Sequence, residues 1–129
     1  MKISLSLLTA TVFGLTAGGA FAGMPHGWEV NPVNDVVYEV VSEGAHGGAA
    51  FWCAAADFAQ VHLKASPNAE IYVVTLAGPS MTTKRKSAAQ FTLDPVAAGI
   101  TPGPLPDDLN ELAIGGHMKI GVAHGFCAG

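Results

Sequence analysis

Charge is scarce in this chain. Lys, Arg, Asp and Glu make up 12% of its 129 residues, while hydrophobic residues make up 50%. That balance excludes a disordered, solvated chain, which would be poor in apolar residues and rich in charge. Positive charge is scarcer still. Six Lys and Arg face ten Asp and Glu, for a net charge of −4. This excludes the basic footprint of a nucleic-acid binder. Cysteine occurs only twice, and there is no CxxC, HxH, HxxxH, GxSxG or twin arginine. The compact motifs of zinc, redox and hydrolase sites are therefore missing. Beyond the N-terminal segment, no run approaches the roughly 18 continuous apolar residues that would span a bilayer.

What is present begins with an export pattern. Lys2 supplies a positive start, residues 3–16 are an apolar stretch diluted by Ser and Thr, and Ala20-Phe21-Ala22 has the small-x-small form of a signal-peptidase site. A signal peptide over 1–22 is expected, leaving a single small domain over 23–129. Its destination is the periplasm or the medium. Gly14, Gly18 and Gly19 weaken the stretch as a spanning anchor, and no Cys follows it to carry a lipid. A chain this short buries only about 60–65% of its unfolded surface and is marginal without a covalent aid.

Cys53 and Cys127 are the only cysteines. An even pair in a small exported domain is most simply one disulfide. A loop of this length gives about 4–5 kcal/mol in the chain-entropy account. A reactive thiol or a metal ligand is the alternative, with no supporting motif.

The hydrophobic pattern predicts one helix and several strands. Residues 23–35, with Pro25 and Pro32, are expected to form an irregular leader. Residues 36–41 (VVYEVV) read as a strand with Val36, Tyr38 and Val40 inward and Glu39 on the other face. Residues 49–65 are Ala-rich without Gly or Pro and predict a helix. Phe51, Ala55, Phe58 and His62 share its apolar stripe, whereas Cys53, Asp57, Gln60 and Lys64 fall on the opposite, polar face. If Cys53 lies in this helix and bridges to Cys127, the C-terminal tail must cross the solvent side of the first helical turn; otherwise the helix begins after Cys53. Residues 70–77 and 88–93 read as strands joined by the hairpin turn 81–87. Phe91 and Leu93 are expected inward, with Gln90 and Thr92 outward. Residues 96–106 are too rich in Pro and Gly for a regular element. Asp108 and Glu111 could cap one helical turn carrying Leu109 and Leu112. Residues 117–123 complete the set as a last strand with Met118, Ile120 and Val122 inward. The order β-α-β-β-loop-β predicts a two-layer α+β domain, one helix on an antiparallel sheet of about four strands.

Several stretches together carry a resemblance: Phe51-Trp52-Cys53-Ala54, Ile71-Tyr72-Val73-Val74, Gly78-Pro79-Ser80, Ala89-Gln90-Phe91-Thr92-Leu93-Asp94-Pro95 and Gly125-Phe126-Cys127. Over roughly residues 36–127 the chain resembles a group of small, uncharacterised exported proteins of Gram-negative bacteria. The resemblance implies a pairing of the Trp-Cys cysteine with the terminal one, and it carries over no catalytic residue.

Candidate sites are few. Lys84, Arg85 and Lys86, beside Thr82, Thr83 and Ser87, form the only concentrated positive site. It could steer an anion, a phosphate or an acidic partner, or be a solvated hairpin tip that discourages edge aggregation. Of His26, His46, His62, His117 and His124, none has metal-ligand spacing, and His62 reads as a core residue. Asp107, Asp108, Asn110 and Glu111 lack calcium-loop spacing. Ser80 follows a strand and Gly-Pro, but lacks the frame of a nucleophile elbow. Trp52 is expected in the core. Trp28 is either an exposed anchor for a partner or packed over the sheet edge. No catalytic residue, metal or cofactor is implied. The expected function is a non-enzymatic exported module binding a protein or an acidic envelope component, using the basic hairpin and the Pro-rich loop. The alternative is a small periplasmic enzyme or small-anion binder with a site between helix and sheet.

Overall fold

The computed structural model describes residues 27–128, so the expected signal peptide and the leader up to residue 26 lie outside the described residues. The elements are β1 (Glu29–Pro32), β2 (Val37–Val41), α1 (Gly48–Val61), β3 (Glu70–Gly78), β4 (Ala88–Thr92), α2 (Pro95–Ala98), β5 (His117–Lys119), α3 (Ile120–His124) and a 3-10 turn over Gly125–Ala128. The strands form one five-stranded sheet in the order β1-β2-β4-β3-β5, with every neighbouring pair antiparallel. This is the α+β class that the hydrophobic pattern predicts, closed by a Cys53–Cys127 disulfide with an S–S length of 2.03 Å.

The extra strand lies in the leader, which is not irregular throughout. Asn34 folds a turn in which its Oδ1 accepts from the backbone N–H groups of Val36 and Val37 at 2.9 and 2.8 Å. An Asx turn of this kind reverses the chain and lays β1 along β2, with Val30 opposite Val40. Pro32 is tolerated because β1 is an edge strand, where no further ladder donor is needed.

Helix α1 packs on one face of the sheet. Phe51, Trp52, Ala54, Ala55 and Ala59 are buried with Tyr38, Val40, Ile71, Val73 and Phe91. The phenol of Tyr38 donates to the carbonyl of Ala55 at 3.1 Å, and Trp52 meets Phe91 edge-on at 5.4 Å between ring centroids. The helix is shorter than the Ala-rich run. Gly47 offers no side-chain cap. Instead the N–H of Gly48 donates to the carbonyl of Asn110 at 2.7 Å, so a distant loop caps the first turn. A Cβ on Gly48 would stand 2.7 Å from the carbonyl oxygen of Leu109, which is why only glycine fits there. At the other end, Lys64 takes a left-handed conformation (φ 57°) and ends the run before Pro67.

Cys53 lies within the helix and is bridged to Cys127, and the tail crosses the face opposite the apolar stripe as that placement requires: α3 and the 3-10 turn pack across it and bury Cys53 and Asp57. One expectation for this helix needs correction. His62, expected in the core, is exposed just past the helix end, with its ring stacked on Phe58 at 5.1 Å.

The chain end also differs from the alternating pattern. The strand predicted over 117–123 stops at Lys119. The N–H groups of Ile120 and Gly121 donate to the carbonyls of Ala69 and Pro67, both at 2.9 Å, turning the chain off the sheet. Helix α3 then buries Ile120 and Ala123, while Val122 is 59% exposed rather than inward. The tail thereby reaches Cys53 across the far side of α1. The helix lies between the sheet and its own chain terminus.

In the Pro-rich stretch, Pro95–Ala98 is a single helical turn, contrary to the expectation of no regular element. Asp94 caps it by accepting from the N–H of Ala97 at 3.1 Å, and Pro95 opens it, where a missing N–H costs nothing. The remainder is irregular apart from a bridge between Gly103 and Gly116. Residues 108–111 form a turn rather than a capped helix, with Asp108 Oδ1 accepting from the N–H of Asn110 at 2.9 Å. Leu109 and Leu112 still pack against the core.

Candidate functional site

Strand alternation sends Tyr38 and Val40 toward α1, so Glu39 must point to the opposite face. There it lies opposite Asn31 on β1 and Gln90 on β4. It is only 1% exposed. A carboxylate in such a place needs hydrogen-bond donors to be tolerated, and the β3–β4 loop supplies them. Oε1 accepts from Ser80 Oγ at 2.6 Å, Thr82 Oγ1 at 2.6 Å and the Thr82 N–H at 3.1 Å. Oε2 accepts from the Met81 N–H at 2.8 Å and from Gln90 Nε2 at 3.3 Å. Burial pushes the pKa of Glu39 up, but the hydrogen bonds from Ser80, Thr82 and Met81 outweigh it and lower the value from 4.5 to about 2.

The loop is fastened at further points. Ser80 Oγ accepts from the Thr83 N–H at 2.9 Å, and the Ser80 N–H donates to the carbonyl of Arg85 at 3.0 Å. Asn31 Nδ2 donates to Thr82 Oγ1 at 3.0 Å. The hairpin expected at 81–87 is thus present, but it folds back over the outer face of the sheet.

This arrangement divides the basic trio. Arg85 turns back, donating from Nη1 to the carbonyl of Gly27 at 2.7 Å and placing Nη2 3.6 Å from Oε1 of Glu29. Both side chains of that ion pair are about two-fifths exposed, so solvent screens it, and the guanidinium acts mainly as a tie. Lys84 and Lys86 are exposed and make no ion pair with the described residues. Met81 is 73% exposed beside them. Arg85 and Lys86 also line an open groove of about 730 Å³ whose other bank is formed by residues 42–46.

The remaining candidates are scattered. Ser80 is bound to Glu39 on the outer face, whereas His62 ends the helix on the inner face, so the two do not meet. Trp28 is buried at 7% exposure, packed on His46 at 4.9 Å and on Phe51 at 5.2 Å, and does not protrude as an anchor. His117 Nδ1 pairs with Glu70 at the β3–β5 edge, with its ring 4.9 Å from that of Tyr72. His124 Nε2 lies 3.1 Å from Oδ1 of buried Asp57. Among the described residues, no three His, Cys, Asp or Glu side chains gather to hold a metal ion. No helix among them is long and apolar enough to cross a membrane.

Sequence reasoning missed Glu39 as an anchor and Asp57 as a buried partner of His124. A signal existed for the first: a lone acid inside a β-branched strand, with a Ser/Thr-rich turn elsewhere able to supply donors. Nothing local marks the second, since His124 is 67 residues away. No protein-family model, curated protein or solved structure matches this chain.

Proposed function

We propose that this protein is an exported, non-enzymatic binding module that holds a phosphate-bearing, acidic component of the cell envelope through Lys84 and Lys86. The observation that carries the reading is the pinning of the β3–β4 loop by Glu39. Surface loops are ordinarily mobile, and ordering one on binding costs affinity. Here a buried carboxylate accepts hydrogen bonds from Ser80, Met81 and Thr82 before any partner arrives. The two lysines are therefore presented from a fixed platform, on a chain whose net charge is otherwise negative. Export is supported by the N-terminal pattern and by the disulfide, which an oxidising compartment favours. The same pattern agrees with the resemblance to small exported proteins of Gram-negative bacteria.

The test is co-sedimentation of the chain from Gly23 onward with phosphatidylcholine vesicles, with and without phosphatidylglycerol. Binding is expected only to the anionic vesicles. It should weaken as salt rises, because exposed charge pairs are screened. Lys84→Glu with Lys86→Glu should cut it by about thirtyfold or more, given roughly 1 kcal/mol per basic residue near an anionic surface and tenfold per 1.4 kcal/mol. Equal binding of the double variant and the original chain would remove the loop from the proposal.

A further inference from the structure

A second concavity lies at the opposite end of β2 from the groove between Arg85 and residues 42–46. It is about 420 Å³ in volume and opens between the β1–β2 turn, the C-terminal end of α1 and the residues that follow β4. That volume falls within the range of small-ligand sites. Its wall is apolar: Val36, Tyr38, Phe58, Leu63 and Leu93. Tyr38 and Phe58 pack at 4.9 Å between ring centroids, and Leu63 stays 44% exposed at this position. An exposed leucine beside a half-buried phenylalanine leaves apolar surface in water.

The polar side of the pocket carries one sign. Asn34, Asp35 and Asp94 line it, and no Lys or Arg does. Much of the remaining hydrogen-bonding capacity is already occupied. The Asn34 side-chain oxygen accepts from Val36 and Val37, and the Tyr38 hydroxyl donates to Ala55. One oxygen of Asp94 caps α2. Among the charged side chains of the lining, what is left is the second Asp94 oxygen and the Asp35 carboxylate, and the Asn34 amide nitrogen adds only a neutral donor. This is the wrong sign for the small anion considered for a site between helix and sheet, and the right sign for a cation.

We propose that this pocket binds a small organic ammonium ion, with its hydrocarbon body against Phe58, Leu63 and Leu93 and its charged head toward Asp35 and Asp94. Apolar area provides the attraction, while the two carboxylates select the charge. The site is independent of Lys84 and Lys86, so failure of one proposal leaves the other standing.

The experiment is an NMR titration of the chain from Gly23 onward, following the methyl signals of Leu63 and Leu93. The probes are 2-phenylethylammonium, 2-phenylethanol and 3-phenylpropanoate. The ammonium ion is expected to shift both leucines and to bind about three- to tenfold tighter than the alcohol, the range that two exposed ion pairs supply. The carboxylate should bind weakest. In the Asp35→Asn, Asp94→Asn variant, where Asn at 94 can still cap α2, the ammonium and the alcohol should bind equally. Absence of leucine shifts in a chain with an otherwise native spectrum would overturn the proposal. So would equal binding of ammonium and carboxylate, or a preference for ammonium that survives the double substitution.

Discussion

The hydroxyl of Ser80 donates to Oε1 of Glu39 at 2.6 Å, joining the β3–β4 loop to the middle of β2 across 41 residues. Thr82 bonds the same oxygen, and Met81 bonds the other. One side chain thus organises a loop that has no regular structure of its own. The cost of burying a charge is offset by several short, charge-assisted hydrogen bonds. The same contacts cover Glu39 and Gln90 on the outer face of the sheet.

Replacing Glu39 by Gln keeps the shape but removes the charge and turns an amide donor toward loop donors. The expected loss is about 2 kcal/mol, a fall of roughly 8–16 °C in the melting temperature of a domain this size. Thermal unfolding measures the loss. Amide hydrogen exchange at Met81 and Thr82 should quicken in the variant, and unchanged exchange there would contradict the anchoring role.

Acid should act on the same contact. The carboxyl of Glu39 titrates near 2 in the folded protein, below its ordinary value of 4.5. A group with a depressed folded pKa stabilises the fold fully above its unfolded pKa and loses that contribution as pH falls through the folded one. The stability gap between the original chain and Glu39→Gln should therefore be constant above about pH 5 and narrow between 4.5 and 2. Urea unfolding at a series of pH values checks this. A gap that widened on acidification would contradict the sign.

The bond between Cys53 and Cys127 closes a separation of 74 residues and straps the tail across α1. Its removal by Cys53→Ala with Cys127→Ala should cost about 2–5 kcal/mol. Titration of the denatured, unreduced chain should find no thiols, and circular dichroism with heating should place the variant well below the original.

Asp57 and His124 should be energetically coupled. Asp57 is 1% exposed and its Oδ2 has no hydrogen-bond partner among the described residues, so His124 at Oδ1 is its main polar contact. A double-mutant cycle with Asp57→Ala and His124→Ala should return an interaction of about 0.5–3 kcal/mol. Additive losses would show that α3 packs on α1 without this pair.

Local chemistry determined much of this molecule. The alanine-rich run favours a helix by local propensity, realised over Gly48–Val61, and alternation in VVYEVV fixes which side of β2 meets it. Only two cysteines exist, so their partnership was legible before any fold. Turns at 66–68 and 78–80 follow from Pro and Gly. These features depend on neighbours a few residues apart, and a linear pattern records such neighbours directly.

Tertiary structure decided what covers each face. Residues 120–123 alternate like a strand, yet form α3, because hydrogen bonds to Ala69 and Pro67 and the tether to Cys53 turn them off the sheet. Arg85 reads as one of three equivalent cations until Gly27 and Glu29 are brought beside it. Glu39 reads as an outward acid until Ser80 and Thr82 close over it. In each case the deciding partner is far away in sequence, and its effect is a hydrogen bond or a covered surface that no local periodicity encodes.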